Sequence, residues 1–440
     1  MKPHLARLGV LIVLAVLAFP GAARGDVVTH WSETAANALL RDAGQGAYGL
    51  PQMAMVHGAM FDAADAIDHR YHPYLAKLHA RPWYSSDAAV AAAAHRVLVD
   101  GGVVRPDQQA ALEAAIEPQY ATALAAIPDG AAKRGGIATG EAAAWAMIAA
   151  RTGDGRFGPM GFVLRPPGPG VWEPIPPTGN DPGAWLKDTE PFMLRHPERF
   201  ESHPPYPLTS RRYAADFNEV KALGRTDSVL RTPEQTAAAR FWGGPTNAVA
   251  TWSGIIRTLA EMRPLSAVER AHFYALVYLT AADAQITTWK SKDRWMFWRP
   301  VTAIHRADTD GNDATEADPT WTSLITNPPY PDHPSGLTTL GGAAVATLQE
   351  LFGTDEVAFT AVNSLGASRS YARISDVVNE TIDVRVWSGV HFRHADVDGA
   401  KVGRNVARWR RQHGFLRPLR YRGAARRPPR IRGGRRRWHS

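Results

Sequence analysis

The chain has 440 residues, 45% of them hydrophobic and 21% charged, which is enough apolar material for one large core or two smaller ones and excludes a globally disordered protein. It has no cysteine, so a disulfide framework, thiolate metal sites and cysteine nucleophiles are all excluded. The formal charge of +8 sits at the two ends: residues 417–440 hold ten arginines and no acid, the first 25 residues hold three basic residues and no acid, and the body between them is mildly acidic.

In chain order, residues 1–25 read as a secretory signal: Lys2 and Arg7, then an apolar run from Val10 to Phe19, then the small-x-small sequence Ala23-Arg24-Gly25. That run is short for a membrane span, and no later segment approaches the length a transmembrane helix needs, so a secreted or periplasmic protein with no transmembrane segment after cleavage is expected. Apolar residues recur at helical spacing over 53–67, 87–99, 107–124, 131–150, 233–248, 265–289 and 334–351, and few stretches alternate like strands. Thr232-Pro233-Glu234 and Ser266-Ala267-Val268-Glu269 carry N-terminal cap signals. Between 155 and 210 the composition turns to Pro, Gly and aromatic residues, predicting a long surface connection between two helical halves. The expected organisation is therefore an all-α fold: signal 1–25, N-terminal half with its connection 26–230, C-terminal half 231–413, and a disordered Arg-rich tail 414–440. The tail has few aromatics among its arginines, and no nucleic-acid partner is expected for it.

Three segments after residue 285 concentrate chemistry: Lys292 to Pro300, Tyr330 to Leu337, and Arg385 to His394. Pro334-Ser335-Gly336 opens a helix, where free backbone N–H groups and a close-approach glycine suit an anion. Such a terminus contributes only about 0.3–1 kcal/mol and cannot hold a multiply charged oxyanion against its hydration. Lys292, Arg299 and Arg385 are the residue types that would add charge-assisted hydrogen bonds, at about 1.5–3 kcal/mol each. His391, six residues after Arg385, offers a ring nitrogen as nucleophile or ligand.

In this order the motifs resemble the superfamily that unites vanadium-dependent haloperoxidases with type 2 phosphatidic acid phosphatases and bacterial acid phosphatases. Its pattern, Lys-x6-Arg-Pro, Pro-Ser-Gly-His, Arg-x5-His, is matched by Lys292, Arg299 and Pro300, by Pro334, Ser335 and Gly336, and by Arg385 and His391. Flanking text such as Phe297-Trp298-Arg299-Pro300-Val301 and Gly389-Val390-His391-Phe392-Arg393 is similar to the secreted bacterial haloperoxidase-like branch. The resemblance implies a multi-helix bundle of the haloperoxidase and acid phosphatase type. It implies that Lys292, Arg299, Ser335, Gly336 and Arg385 bind an oxyanion, and that His391 is the vanadium ligand or, in a phosphatase, the phosphorylated nucleophile. Vanadate is the implied cofactor, with none needed by a phosphatase; the implied substrates are hydrogen peroxide and halide, or a phosphate ester.

Two positions depart from the pattern. Leu337 stands where the family has its acid/base histidine, leaving His333 and His394 as the nearest replacements. Ala395 stands where a carboxylate would orient the metal-binding histidine, with Asp396 one residue beyond. Three readings follow: a vanadate-dependent haloperoxidase first, favoured by size and by the large N-terminal half; a phosphatase working through phosphohistidine; and a silent oxyanion-binding protein. His57, Asp62, Asp65, Asp68 and His69, close together on one predicted helix, are read as polar packing rather than a metal site.

Overall fold

The structure, a computed structural model, describes residues 26–418 apart from Pro245; the signal segment and residues 419–440 lie outside the described residues. It is all-helical, with thirteen α-helices and one two-stranded hairpin among the described residues.

In the N-terminal half, α1 (Val27–Ala36) starts at Asp26, whose side chain accepts from the Val28 N–H at 3.0 Å. α2 (Leu50–Asp68) is buried along nearly its whole length, its polar Gln52, His57, Asp62 and Asp65 included. α3 (Ser86–Asp100) and α5 (Ala131–Arg151) pack beside it, and α4 (Pro106–Ala125) packs on α3. Glycine sets the closest approach: a Cβ at Gly140 would lie 2.1 Å from the Ala89 carbonyl oxygen. Asp62 and Asp65, read as packing residues, receive the backbone N–H groups of 74–76 and of 70–71 respectively, tying down the chain that leaves α2. His57 stacks on Tyr278 at 4.5 Å.

The C-terminal half contains α6 (Arg211–Leu223), α7 (Pro233–Trp242), α8 (Ala248–Glu261), the 29-residue α9 (Ala267–Trp295), the short α10 (Pro300–His305), α11 (Gly336–Phe352), α12 (Ile374–Trp387) and α13 (Arg393–His413). The helix predicted over 233–248 is two helices, because Gly243 is extended and Gly244 takes φ +76 between them. The hairpin of β1 (Phe359–Val362) and β2 (Ser368–Tyr371), absent from the sequence reading, pairs Phe359 with Tyr371. Each of its strands spans four residues, too short for alternation to register.

The two halves share one core, since the main cluster of buried side chains runs from Val28 to Leu416 and includes α2 and α9 packed together. The connection does more than cross the surface: Trp172, Trp185 and Asp181 are buried. Its Phe192, Met193 and Leu194 N–H groups all donate to the Asp283 carboxylate on α9, at 2.6, 2.8 and 2.9 Å. The start of the predicted tail is also packed: His72 N–H donates to the Arg417 carbonyl, and Leu416 is buried. No described helix is long and apolar enough to cross a membrane.

The packing of α11 on α13 positions the site. A Cβ at Gly342 would lie 2.2 Å from the Ala400 carbonyl oxygen, one at Gly403 2.1 Å from that of Thr339, and one at Gly399 2.4 Å from that of Ser335. Glycine on both helices therefore lets the backbones touch and brings the start of α11 beside the start of α13. Elsewhere, Asp283→Ala would leave three buried N–H groups without their acceptor. We expect it to destabilise the protein by about 3–5 kcal/mol, at roughly 1–3 kcal/mol for each orphaned group, read as a lower midpoint of denaturant unfolding.

Candidate oxyanion site

Three turns deliver the basic residues. α9 ends at Met296 in the left-handed region (φ 45), which swings the chain into an extended stretch held to the connection by Trp172 N–H to Met296 O at 2.7 Å and Trp298 N–H to Gly170 O at 3.0 Å. Lys292 lies one turn before that break, and Arg299 caps α10 just after it. After α12, which carries Arg385, Gly389 takes φ +77 and presses on Gly224, where a Cβ would lie 2.4 Å from the carbonyl oxygen. That turn returns His391 toward Arg299.

Lys292, Arg299, Ser335 and His391 are essentially inaccessible and Arg385 nearly so. The Lys292 ammonium donates to the carbonyls of Pro331 (2.6 Å) and Asp332 (3.1 Å) and lies 4.8 Å from the centre of the Tyr330 ring. Arg299 donates through Nε to Tyr330 O (2.8 Å) and through Nη1 to Val390 O (2.5 Å), with Nη1 3.2 Å from His391 Nε2. His391 Nδ1 lies 2.8 Å from Asp332 Oδ1. Because a guanidinium can only donate, Nε2 must be the acceptor, so the ring proton is on Nδ1 and is given to Asp332.

Burial and the surrounding cations hold the His391 pKa well below its ordinary value, the cations being Arg299, Arg385 and Lys292. Burial pushes the Asp332 carboxyl up to about 7, opposed by Arg299 and Lys292. Burial and then Arg299 bring the Lys292 pKa well below its usual value. These are the shifts expected where charges are buried without enough counter-charge, and an anion in the gap would reverse those of the lysine and the histidine.

The carboxylate expected to orient His391 was Asp396. The structure corrects this: Asp396 is buried with neither oxygen hydrogen-bonded, lies by Ser335 and Arg385, and is pushed well above the usual carboxylate range by burial, while Asp332 makes the bond to His391. Five residues along α13 turns Asp396 to another face, whereas Asp332, immediately before His333-Pro334-Ser335, reaches His391 from the opposite chain. The replacements expected for the acid/base histidine also lie elsewhere. His333 Nε2 is 2.8 Å from the His203 carbonyl oxygen, its pKa lowered to about 3 by burial, and its ring stacks on His394 at 5.1 Å. His394 stacks on Tyr206 at 3.7 Å, with Nε2 3.3 Å from Pro204 O and 3.4 Å from Asp398 Oδ2. The ligand atoms of His333, His394 and Asp398 all lie within 4.8 Å of one another, and the two rings, nearly parallel at 22°, hold the carbonyls of residues 203 and 204.

A cavity of about 350 Å³ opens over Gly336, Leu337 and Arg385, walled by Trp242, Ile325 and Leu340 among others. Neither His333 nor His394 lines it, and its lining contains no histidine or carboxylate. Leu337 is part of that wall. Behind the site stands a network invisible in the sequence: Asp181 of the connection accepts from Tyr48 Oη and from Trp289 Nε1 (2.9 Å), and Trp289 packs on Tyr330 at 5.1 Å.

An absent oxyanion can be tested against the atoms left without partners. Arg299 Nη2, Arg385 Nε and Ser335 Oγ are buried and make no hydrogen bond. Buried polar groups are ordinarily paired, so three unpaired donors around one imidazole fit a guest rich in oxygen. The residues present therefore suit phosphate or vanadate.

The chain matches the family model described as the VCPO second helical-bundle domain over residues 272–415. It is 29% identical over 197 residues to the vanadium chloroperoxidase of Curvularia inaequalis, a match covering 38% of this chain and 32% of that relative, so about a third of the relative's length is spanned. Among solved structures, its fold is similar to a bacterial vanadium-dependent iodoperoxidase (TM-score 0.75, 21% identity, 90% of this chain and 97% of the other). It is also similar to the holo form of a bacterial vanadium-dependent chloroperoxidase (TM-score 0.67, 19% identity, 86% and 94%).

The fold is thus that of the helical-bundle haloperoxidases, with unpaired basic and hydroxyl donors buried in its C-terminal half. Over residues 272–415 the chain matches the second helical-bundle domain of that family, and its overall fold is the one the bacterial vanadium haloperoxidases share.

The Asp332 contact is open to test. Asp332→Ala removes the acceptor that fixes the His391 tautomer, and we expect about 10- to 100-fold weaker binding of orthovanadate by calorimetry, the usual loss when such a carboxylate is removed.

Proposed function

We propose that this chain is a vanadate-dependent haloperoxidase that oxidises halide with hydrogen peroxide. The observation carrying the reading is the set of three buried donors without protein partners, Arg299 Nη2, Arg385 Nε and Ser335 Oγ, beside a histidine whose Nε2 is unprotonated. In this reading those donors, with Lys292 and the Gly336 N–H, would hold the oxygens of vanadate, and His391 Nε2 would be its ligand. Asp332 keeps the Nδ1 proton in place, and the Trp289–Tyr330 wall keeps bulk water off the lysine. When bound, vanadate supplies a Lewis acid that polarises hydrogen peroxide for attack by a halide. Export of the protein, carried by residues 1–25, belongs to the same reading.

The cavity lining favours this over the phosphatase. Releasing an alkoxide from a phosphomonoester calls for a general acid, a contribution of about 10²–10⁴ in rate. Leu337 cannot donate a proton, and no histidine or carboxylate lines the cavity to do so in its place.

Mature protein dialysed with orthovanadate should oxidise bromide in a peroxide-dependent dye assay, and His391→Ala should lower the rate at least 100-fold. Silence from mildly acidic to neutral pH would remove the reading. Vanadate-inhibited hydrolysis of p-nitrophenyl phosphate, abolished in His391→Ala, would put a phosphatase in its place, and phosphate binding with both assays blank would leave a silent oxyanion-binding protein. Leu337→His restores a proton carrier at the cavity wall and is expected to raise the rate by about 10-fold or more; an unchanged rate would mean that protons travel by another route.

A further inference from the structure

The α9 stripe that ends in Lys292 also carries Trp289 and Gln285, at spacings of three and four residues, so all three face the start of α11. Gln285 is buried, only 1% exposed, yet its Oε1 has no hydrogen-bond partner. An orphaned buried amide oxygen costs about 1–3 kcal/mol. Here the carboxamide lies against the residue that opens the anion seat: a Cβ added to Gly336 would be 2.9 Å from Gln285 Nε2 and 3.0 Å from the Trp289 ring. Gly336 is thus glycine for the sake of this approach, since its φ lies outside the left-handed region. Gln285 lines the same cavity as Leu337, Tyr330 and Arg385.

We infer that the Gln285 carboxamide is a further binding group of this site, hydrogen-bonding the cavity-facing oxygen of a bound tetrahedral or trigonal-bipyramidal oxyanion beside Leu337, where the superfamily pattern has an imidazole. The inference rests on the oxyanion reading of the site and deepens it. An amide can give a hydrogen bond with one end and accept one with the other, and rotating it by half a turn exchanges the two. It can therefore hold an oxyanion oxygen or a hydroxyl-bearing substrate, but it cannot carry a proton. The group restores the hydrogen bond lost with the histidine and leaves the proton-transfer function unfilled.

The test is calorimetric titration of mature full-length protein with inorganic phosphate and, separately, with orthovanadate. Gln285→Leu should weaken both by about 10-fold while leaving the melting temperature unchanged or higher, because it removes an unpaired buried group. Gln285→Glu places a carboxylate against the anion; binding should fall more than 100-fold near neutral pH and recover toward acid pH, where the protonated carboxyl can donate again. That recovery is a readout a packing role would not produce, and it keeps the test decisive if the leucine variant folds poorly. Gln285→Leu binding both anions as tightly as the unaltered protein, or a glutamate variant whose affinity ignores pH, would overturn the inference alone. Failure of the unaltered protein to bind either anion would overturn the oxyanion reading together with it.

Discussion

Buried cations crowd one imidazole, Arg299 in contact with His391 and Arg385 and Lys292 near enough to act on its charge, and the carboxylates around them are either engaged or turned aside. Asp332 is committed to His391 and Asp181 to Tyr48 and Trp289, while Asp396 is held in the protonated direction by its burial. Removing a charge from water costs several kcal/mol after relaxation, so an arrangement with this much uncompensated positive charge is stable only within a scaffold that over-determines it. The scaffold does so with backbone carbonyls: those of Pro331, Asp332, Tyr330 and Val390 receive Lys292 and Arg299 and fix where the remaining donor bonds point. The left-handed turns at Met296 and Gly389, and the glycine contacts between α11 and α13, exist to bring those carbonyls within reach.

What could be read in the sequence was whatever is written linearly. Lys292 and Arg299 straddle one helix end, Arg385 and His391 straddle another, and Pro334-Ser335-Gly336 is a helix start in its own right, so their spacing survives as pattern. Long amphipathic helices were legible for the same reason. The partner of His391 was not, because the nearest suitable carboxylate in sequence, Asp396, faces another way, while Asp332 is 59 residues distant and meets the ring only through tertiary structure. Asp181 is 108 residues from Trp289 and sits in a segment whose composition announced only irregular chain. The break between α7 and α8 was missed because apolar spacing continues across Gly243 and Gly244, where backbone conformation and not hydrophobicity decides.

The two departures from the superfamily pattern have different physical outcomes. The missing carboxylate after His391 is replaced in kind: Asp332 supplies the same acceptor to the same ring nitrogen from another chain segment. The missing histidine is not. His333 and His394 are spent on the carbonyls of residues 203 and 204, and the cavity wall at Leu337 mixes apolar side chains with the amides of Gln285 and Asn247, the Arg385 guanidinium and the Tyr330 ring, with no histidine or carboxylate among them.

The Asp181 brace has an architectural consequence. The stretch that matches the family model, residues 272–415, holds every side chain proposed to bind the oxyanion. The tyrosine and aspartate that buttress Trp289 come from residues 48 and 181, in the half that precedes it. A fragment cut at the boundary between the halves would inherit all the claws and none of the wrist, so the N-terminal half belongs to the binding apparatus and is not a carrier for it.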